Sequence, residues 1–305
     1  MKRSTIWLIV IVLILIVIIF STGNRDAGVD PAAISGWQLN EAGLMTPESV
    51  LYDAVADVYL VSNINGSPAD MDDNGFISRI SPTGEILDLK WIDGENENVQ
   101  LSAPKGMAII GEVLYVTDIS SIRLFDKETG EPVGSIDIPG STFLNDLAPN
   151  GKGGVFLTDS GLNPDFTPSG TDAVYSIDAA GEITQLATGE VLGGPNGVTS
   201  YKDGALIVTF GGNSILKLGM DGEVSLFAEL PTGSLDGIEI IKDGTVLVSS
   251  WEGQVVYAVH PDGSVNEVIS GVQSPADIGF DSKRGLVLIP LFQLDGVHTV
   301  PVTTP

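Results

Sequence analysis

The chain has no cysteine and only two histidines among its 305 residues. Without cysteine it can form neither disulfides nor a lipid-modified cysteine anchor, and it has no thiol nucleophile. His260 lies in a His-Pro-Asp-Gly turn and His298 in the final predicted strand, so neither is placed as the base of a Ser-His-Asp triad. A zinc site is also disfavoured, because zinc prefers His and Cys ligands.

Positive charge is scarce as well. The chain has 14 Lys and Arg against 40 Asp and Glu, which gives a net charge of −26. Such a surface repels nucleic acid and anionic membranes and concentrates cations, so we expect no nucleic-acid partner. The charge alone does not identify a metal site, since a high-salt habitat or a need for solubility would select the same surface.

The one long hydrophobic run lies at the amino terminus. Lys2 and Arg3 precede Ile6–Phe20, which contains no polar side chain, and this is the layout of an export signal. The run is intermediate in length between a signal peptide and a full membrane span, and only a weak cleavage site follows it. For residues 1–23 a cleaved signal peptide and a retained N-terminal membrane anchor therefore both stay open. Either predicts an extracytoplasmic protein, periplasmic or secreted, that touches the membrane only if the segment is uncleaved.

Helical periodicity is hard to find after this segment, and six short turn frames recur instead. Their second positions lie 57, 40, 51, 40 and 40 residues apart, a period near that of four short strands. We expect each frame to open the innermost strand of one blade. The frames are Pro47-Glu48-Ser49-Val50, Pro104-Lys105-Gly106-Met107, Leu144-Asn145-Asp146-Leu147, Pro195-Asn196-Gly197-Val198, Leu235-Asp236-Gly237-Ile238 and Pro275-Ala276-Asp277-Ile278.

This pattern predicts an all-β fold, a six-bladed β-propeller with four-stranded antiparallel blades over residues 37–305, after a linker at 24–36. The last repeat has room for only about three strands, so an N-terminal strand near residues 37–41 is expected to complete the last blade and close the ring. The two long spacings place insertions at 62–76 and 159–172. We expect both to rim the face on which the frames begin, where such loops commonly determine specificity.

Four of the six frames carry an oxygen donor at the second position, namely Glu48, Asn145, Asn196 and Asp236. Two carboxylates and two amide carbonyls form a hard oxygen set of the kind that Ca²⁺ prefers, with waters or substrate oxygens completing the coordination. The alternative is that Asn and Asp occur here because they favour tight turns. Their recurrence at equivalent positions of a ring favours the metal.

Two further residues are candidates for substrate binding. Lys105 occupies the second position of the second frame and could meet an anionic substrate or product. Alternatively, its ammonium group extends to solvent at the channel mouth or pairs with a carboxylate. Trp251 directly follows a predicted second strand, so it either forms a wall of the pocket or packs between blades.

A second cation site is possible in the first insertion. Its sequence Asp-Met-Asp-Asp-Asn-Gly copies the opening of an EF-hand loop, with Asp70, Asp72 and Asn74 as the donors. Ser81 stands where the loop would need its bidentate Glu, and no helices are predicted beside it. The alternative is a polar turn between strands.

The frames resemble motifs of a known superfamily, the gluconolactonases, senescence marker protein (regucalcin) and luciferin-regenerating enzymes, which are six-bladed calcium propellers. The resemblance spans roughly residues 44 to 300. The frame at Glu48 looks like the family's Glu-Ser/Gly-Pro-x-Trp opening, and the frame at Asn145 resembles its Asn-Asp-Gly motif. The frames at Asn196 and Asp236 are similar to its Asn-Gly-Leu and Asp-Gly-Met motifs.

The resemblance implies that Glu48, Asn196 and Asp236 hold a catalytic Ca²⁺, with Asn145 as a ligand or substrate contact. In such a site the metal polarises a lactone or ester carbonyl, or a phosphoryl oxygen, while a nearby carboxylate handles the attacking water. Asp236 is the candidate for that carboxylate. The Arg usually found two residues before the conserved Asn is Phe143 here, which favours an apolar lactone or ester over a gluconolactone-type substrate.

The resulting prediction is an exported, Ca²⁺-dependent hydrolase of the lactonase or esterase type that acts on a small molecule. The main alternative is a non-catalytic propeller that binds a ligand or protein partner at the same face. Lyase or synthase-like chemistry, as on strictosidine-synthase-type propellers, is a third possibility. The sequence does not indicate an oligomeric state.

Overall fold

The computed structural model describes residues 35–302, which form strands joined by turns. Short runs of β-branched and aliphatic residues form the strands, and Gly, Asp and Asn form the turns between them. The strands are β1 (Gln38–Leu39), β2 (Pro47–Asp53), β3 (Val58–Asn63), β4 (Phe76–Ile80), β5 (Ile86–Asp93), β6 (Pro104–Ile110), β7 (Val113–Asp118), β8 (Ser121–Asp126), β9 (Pro132–Asp137), β10 (Leu144–Pro149), β11 (Val155–Asp159), β12 (Ala173–Ile177), β13 (Ile183–Thr188), β14 (Pro195–Tyr201), β15 (Gly204–Thr209), β16 (Ser214–Leu218), β17 (Val224–Glu229), β18 (Leu235–Ile240), β19 (Val246–Ser250), β20 (Val255–Val259), β21 (Val265–Ser270), β22 (Gly279–Asp281), β23 (Leu286–Leu291) and β24 (Gly296–Pro301). Two 3-10 turns, Glu190–Leu192 and Phe292–Leu294, are the helical segments within the described residues.

The strands form six four-stranded antiparallel sheets, which are the blades of a β-propeller. Blades 1 to 5 are β2–β5, β6–β9, β10–β13, β14–β17 and β18–β21, each in chain order. Blade 6 has the order β1-β24-β23-β22, so the strand nearest the amino terminus completes the blade nearest the carboxyl terminus. The predicted fold class and the closure of the last blade are both confirmed.

The innermost strands of blades 1 to 5 begin at the first residue of a turn frame. In each of these five frames the pairing with the second strand shifts register directly after that first residue. Such bulges re-aim side chains and are common beside functional sites. The constant frame is therefore a repeated structural device, and the residue at its second position is free to vary.

The sixth frame is different, because it precedes β22 and pairs with blade 1. Asp277 forms a parallel bridge with Ser49, and the Asp277 amide donates to the Glu48 carbonyl at 2.9 Å. The Ser49 hydroxyl donates to the Asp277 carboxylate at 2.5 Å. This frame joins the first and last blades at the centre of the ring.

Glycine at the third position of three frames allows neighbouring innermost strands to approach closely. A Cβ on Gly197 would lie 2.2 Å from the Asp236 carbonyl oxygen, and one on Gly237 would lie 2.2 Å from the Ile278 nitrogen. Neither distance is possible for a real side chain. The repeated glycine in the sequence thus reflects the narrow centre of the ring.

A buried polar network joins blades 1 and 6 farther from the centre. The Tyr59 hydroxyl donates to Asp281 at 2.7 Å, and Trp37 stacks on the Tyr59 ring with centroids 6.2 Å apart. Arg284 bridges Asp281 and Asp57, at 2.8 and 2.7 Å. The aliphatic core is divided among the interfaces between neighbouring blades, such as the cluster shared by blades 4 and 5.

The predicted signal peptide or anchor at 1–23 and nearly all of the predicted linker at 24–36 lie outside the described residues. Within residues 35–302, no helix has the length and apolar character that crossing a membrane requires.

Candidate active site

A cavity of about 500 Å³ lies at the face of the ring where the frames begin. It is lined by the second-position residues of five frames and by both aromatic residues singled out from the sequence. These are Glu48, Lys105, Asn145, Asn196 and Asp236, together with Phe143 and Trp251. Residues separated by almost 190 positions in the chain, from Glu48 to Asp236, thus share one cavity because each opens an innermost strand.

Both insertions reach the same cavity, as their spacing predicts. Ile64 and Pro68 of the first insertion line it, and the second insertion contributes residues from Gly161 to Asp172, including Phe166. The insertions therefore form part of the wall beside the frame residues.

Each of the four oxygen donors carries one buried side-chain oxygen that has no hydrogen-bond partner among residues 35–302. The atoms are Glu48 Oε2, Asn145 Oδ1, Asn196 Oδ1 and Asp236 Oδ1, on side chains that are all buried. An unpaired buried polar group costs about 1–3 kcal/mol. Four of them at one cavity form a donor set that fits a hard cation such as Ca²⁺.

Two further polar atoms of this set, on Asn145 and Asp236, are held by neighbouring side chains. The Asn145 amide donates to Ser160 Oγ at 3.0 Å, while that hydroxyl donates to the Pro195 carbonyl at 2.7 Å. Because the Ser160 proton is already used, Ser160 accepts from the Asn145 nitrogen, and this orients the Asn145 oxygen away from it. Trp251 Nε1 donates to Asp236 Oδ2 at 2.7 Å. After these contacts, Asn145 Oδ1 and Asp236 Oδ1 stay without a hydrogen-bond partner among the described residues.

The two carboxylates of the set, Glu48 and Asp236, are harder to ionise than free carboxylates. Burial raises the pKa of Glu48 well above its usual value, and the Asp236 and Asp277 carboxylates raise it further. Burial and Asp277 raise the pKa of Asp236 in the same way. A divalent cation would relieve this repulsion. In residues 35–302 no group of three or more His, Cys, Asp and Glu side chains is arranged to hold a metal, and the set here is completed by two amides.

Lys105 is buried in the cavity floor, with an exposure of 1%. Its Nζ donates to the Ala103 carbonyl at 3.1 Å and lies 4.5 Å from the centroid of the Phe143 ring. It forms no ion pair with any carboxylate in the described part of the chain. Burial therefore excludes the solvent-exposed alternative, whereas the Glu48 and Asp118 carboxylates act on Lys105 without a direct ion pair, by raising its pKa. Burial lowers the pKa of Lys105 to about 8, and an ammonium with three donors keeps capacity for a further oxygen.

Aromatic side chains form much of the remaining wall. Trp251 contacts Phe210 and Phe292, with ring centroids 5.8 and 5.0 Å away. Phe143 packs against Phe166 at 6.3 Å. All five rings line the cavity, so of the two alternatives for Trp251 the structure shows the cavity wall.

Four cavity residues were not predicted from the sequence, namely Ser160, Phe166, Phe210 and Phe292. A countable signal existed for three of them, since each directly follows the second strand of its blade, as Trp251 does. The six equivalent positions are Ile64, Ile119, Ser160, Phe210, Trp251 and Phe292. They form a second ring of positions, which can be counted from the strand ends. Their residues differ from blade to blade, so no repeated motif marks them in the sequence.

The possible second cation site lies in the first insertion, apart from the cavity lining. Asp70 and Asp72 are exposed, and the Asn74 amide donates to Asp72 Oδ2 at 2.7 Å. Asn74 Oδ1 has no partner among the described residues. The two histidines are also away from the cavity: His260 is bonded to Asn266, and His298 lies within β24.

Comparisons with known proteins place the chain in a family. A family model described as the SMP-30/Gluconolactonase/LRE-like region matches residues 81–284. A comparison with curated protein sequences finds no match.

Several solved structures share the fold. A gluconolactonase from Xanthomonas campestris superposes with a TM-score of 0.68 at 19% identity, over 88% of this chain and 90% of that one. A virginiamycin B lyase from Staphylococcus aureus gives a TM-score of 0.63 at 16% identity, over 88% and 99% of the two chains. A catalytically inactive histidine-to-alanine variant of that lyase, with quinupristin, gives 0.59 at 17% identity and the same coverage. These identities establish the fold alone, whereas the family model covers more than half of the chain. The chain belongs to the SMP-30/gluconolactonase/LRE-like family.

Proposed function

We propose that this protein is a Ca²⁺-dependent hydrolase of lactones or esters. Membership of the family indicates a lactonase-type hydrolase acting on a small molecule. The observation that supports calcium is the set of four unpaired, buried oxygens at equivalent positions around one cavity. Two carboxylates and two amides match the hard oxygen ligands of Ca²⁺ and are poor ligands for zinc.

Glu48, Asn145, Asn196 and Asp236 would hold the ion. When bound, Ca²⁺ supplies Lewis acidity towards a carbonyl oxygen. Asn145 would serve as a ligand or as a substrate contact, since its free oxygen faces the same cavity.

Asp236 is the proposed general base. Its Oδ2, held by the Trp251 indole, takes a proton from the attacking water, whose oxygen forms the new bond to the carbonyl carbon. The bond from that carbon to the leaving oxygen then breaks, and the proton passes from Asp236 to the leaving oxygen. The Lys105 ammonium, buried in the same floor, donates to the oxygen that becomes negative and to the product carboxylate.

Export remains part of this proposal. The basic residues and apolar run of residues 1–23 support an extracytoplasmic location, with the membrane contacted only through this segment if it is retained.

The test combines Ca²⁺ titration by calorimetry with assays on lactones, aryl esters and phosphotriesters. Asp236→Asn is compared with Asp165→Asn, which changes an exposed carboxylate in the second insertion. We expect Ca²⁺ binding and chelator-sensitive turnover by the wild type and the control, and a loss of at least about 100-fold in kcat/KM with Asp236→Asn.

Two outcomes would contradict the proposal. The absence of Ca²⁺ binding would exclude the metal, and tight Ca²⁺ binding without Asp236-dependent turnover would favour a propeller that only binds a ligand or partner. Lyase chemistry is not proposed. One lyase neighbour is inactivated by a histidine substitution, and neither histidine of residues 35–302 lines the cavity.

A further inference from the structure

The residues that follow the second strands surround the polar floor with an apolar wall. Five of these six positions line the cavity, and their residues are Ile64, Ser160, Phe210, Trp251 and Phe292. None carries a charge. The one polar member, Ser160, uses its hydroxyl to hold Asn145 and the Pro195 carbonyl, so it has little capacity left for a ligand.

The insertions continue this wall with residues of the same kind. Pro68, Leu162, Phe166 and Pro168 line the cavity. The one acidic residue that they contribute, Asp172, accepts from the Gly194 amide at 3.0 Å. Available polar groups are thus concentrated on the floor, at the second positions of the frames.

An apolar wall above a polar floor disfavours a polyhydroxylated substrate. A sugar lactone would place several hydroxyl groups against phenyl and indole rings, and each hydroxyl that loses water without gaining a partner weakens binding. An apolar substituent would instead cover aromatic surface that is open to solvent, since Phe166 is 51% exposed and Phe210 is 37% exposed. A volume of about 500 Å³ is within the range of sites for drug-sized ligands.

We propose that the substrate is an ester or lactone that carries an aromatic or extended aliphatic group. Its carbonyl end lies at Lys105 and the four donor oxygens, and its apolar group lies against Phe166, Phe210, Trp251 and Phe292. The carbonyl end of this inference rests on the proposed hydrolase function, whereas the apolar end rests on the composition of the wall.

The experiment measures kcat/KM for the full chain with Ca²⁺ on a series of γ-lactones whose alkyl substituent grows from methyl to octyl. Gluconolactone serves as the polyhydroxylated comparison. We expect kcat/KM to rise about threefold to fourfold for each added methylene until the cavity is filled, and gluconolactone to be hydrolysed at least about 100-fold less efficiently than the octyl lactone.

Two alanine variants locate the effect in the wall. Phe166→Ala and Phe292→Ala should each lower the ratio of octyl-lactone to methyl-lactone efficiency by about tenfold or more. Leu226→Ala, which removes an exposed leucine from the outer strand of blade 4, should leave that ratio unchanged. A flat series, or gluconolactone as the better substrate, would overturn the inference while Asp236-dependent turnover keeps the proposed function.

A binding measurement separates the two proposals if no lactone or ester is hydrolysed. Calorimetry then compares 1-decanol with 1-butanol, which differ only in apolar length. Decanol binding that is at least about 100-fold tighter, and weakened by Phe292→Ala, would reject the hydrolase but retain the apolar specificity. Equal or undetectable binding of both alcohols would overturn the inference as well.

Discussion

The two oxygens of Asp236 have different surroundings, and this difference has a measurable consequence. Oδ1 is unpaired, and Oδ2 accepts from the Trp251 indole, which lowers the pKa of Asp236 against the opposing effect of burial. Trp251→Phe keeps an aromatic ring but removes this donor. A hydrogen bond to a charged group is worth about 1.5–3 kcal/mol, which corresponds to a pKa higher by about one to two. At a pH below the pKa of Asp236 we therefore expect kcat to fall about tenfold to 100-fold, because a smaller fraction of Asp236 is ionised.

The same substitution should change the pH profile. A base acts in its ionised form, so kcat rises with pH through the pKa of Asp236, and loss of the indole donor should move that rise to higher pH. Trp91→Phe, at a tryptophan in β5 outside the cavity, is the control. An unaltered profile for Trp251→Phe would show that the indole does not tune Asp236.

At the residue scale, the sequence predicted which side chains meet but not how each is held. Glu48, Asn145, Asn196 and Asp236 were found because the frames around them are constant. The solvent-exposed position considered for Lys105 was wrong, because its burial depends on Phe143 and on packing that no local pattern encodes. Ser160 and Phe292 were missed, because positions after the second strands have no constant neighbours.

Among the strands, the glycine of the turn frames has a specific packing role. Gly237 lies where a Cβ would be 2.2 Å from a backbone atom of the next blade. Gly237→Ala should lower the free energy of unfolding by at least about 2 kcal/mol, because the innermost strands must separate to admit the methyl group. Urea unfolding measures the effect.

Gly134→Ala is the matched control for this prediction. Gly134 lies in the outer strand β9, where the nearest atom to an added Cβ is 3.7 Å away. This change should leave stability within about 1 kcal/mol of the wild type or raise it slightly. Equal effects at the two glycines would show that close approach at the centre is not what the frame requires.

The order of strands was predictable because four short strands repeat at a near-constant spacing. The sixth frame was expected to open an innermost strand like the other five. This was wrong, since β22 starts after the frame, at Gly279. Its residue Asp277 pairs with Ser49 and Glu48 of the neighbouring blade 1. A sequence repeat cannot show that its last copy forms the contact between the two ends of the chain.

For the whole molecule, the junction of blades 1 and 6 determines whether the ring stays closed. Arg284 is mostly buried and pairs with Asp281, whose side chain is fully buried, and with Asp57. Arg284→Met should cost about 3–5 kcal/mol of unfolding free energy, because it leaves a buried carboxylate without its partner.

Lys283 provides a control one residue away. It also pairs with Asp57, at 2.7 Å, but its side chain is 60% exposed. Lys283→Met should change stability by no more than about 1 kcal/mol. Thermal or urea unfolding of both variants distinguishes a junction that depends on the buried pair from one that depends on total charge.

Stability should also depend on pH through carboxylates farther along the central channel. Asp146, Glu239 and Asp277 line a second cavity of about 230 Å³ there. Burial, with Asp277 nearby, raises the pKa of Glu239 from 4.5 to about 8. Between these values the folded chain binds a proton that the unfolded chain has released, so stability should fall as pH rises from about 4.5 to 8 and then level off.

Glu239→Gln isolates this effect. A pKa difference of one corresponds to about 1.4 kcal/mol, so the full shift would amount to about 5 kcal/mol. Because Glu239 is only partly buried, solvent screening reduces this value, and we expect the variant to be more stable than the wild type by roughly 3 kcal/mol at pH 8, with no advantage near pH 4. Glu267→Gln, at an exposed position of β21, should follow the wild-type curve. Parallel curves for all three proteins would show that Glu239 is not the source of the pH dependence.

The pairing of the first and last blades also determines when, during synthesis, the chain can complete the proposed ion-binding site. Asn145, Asn196 and Asp236 come from three consecutive blades, but the backbone of Glu48 is bonded to Asp277, which follows blade 5 in the chain and is therefore synthesised after it. A nascent chain still lacking blade 6 could fold its early blades yet leave the proposed donor set incomplete. Ion binding would therefore report that blade 6 has joined blade 1, and catalysis would require all six blades.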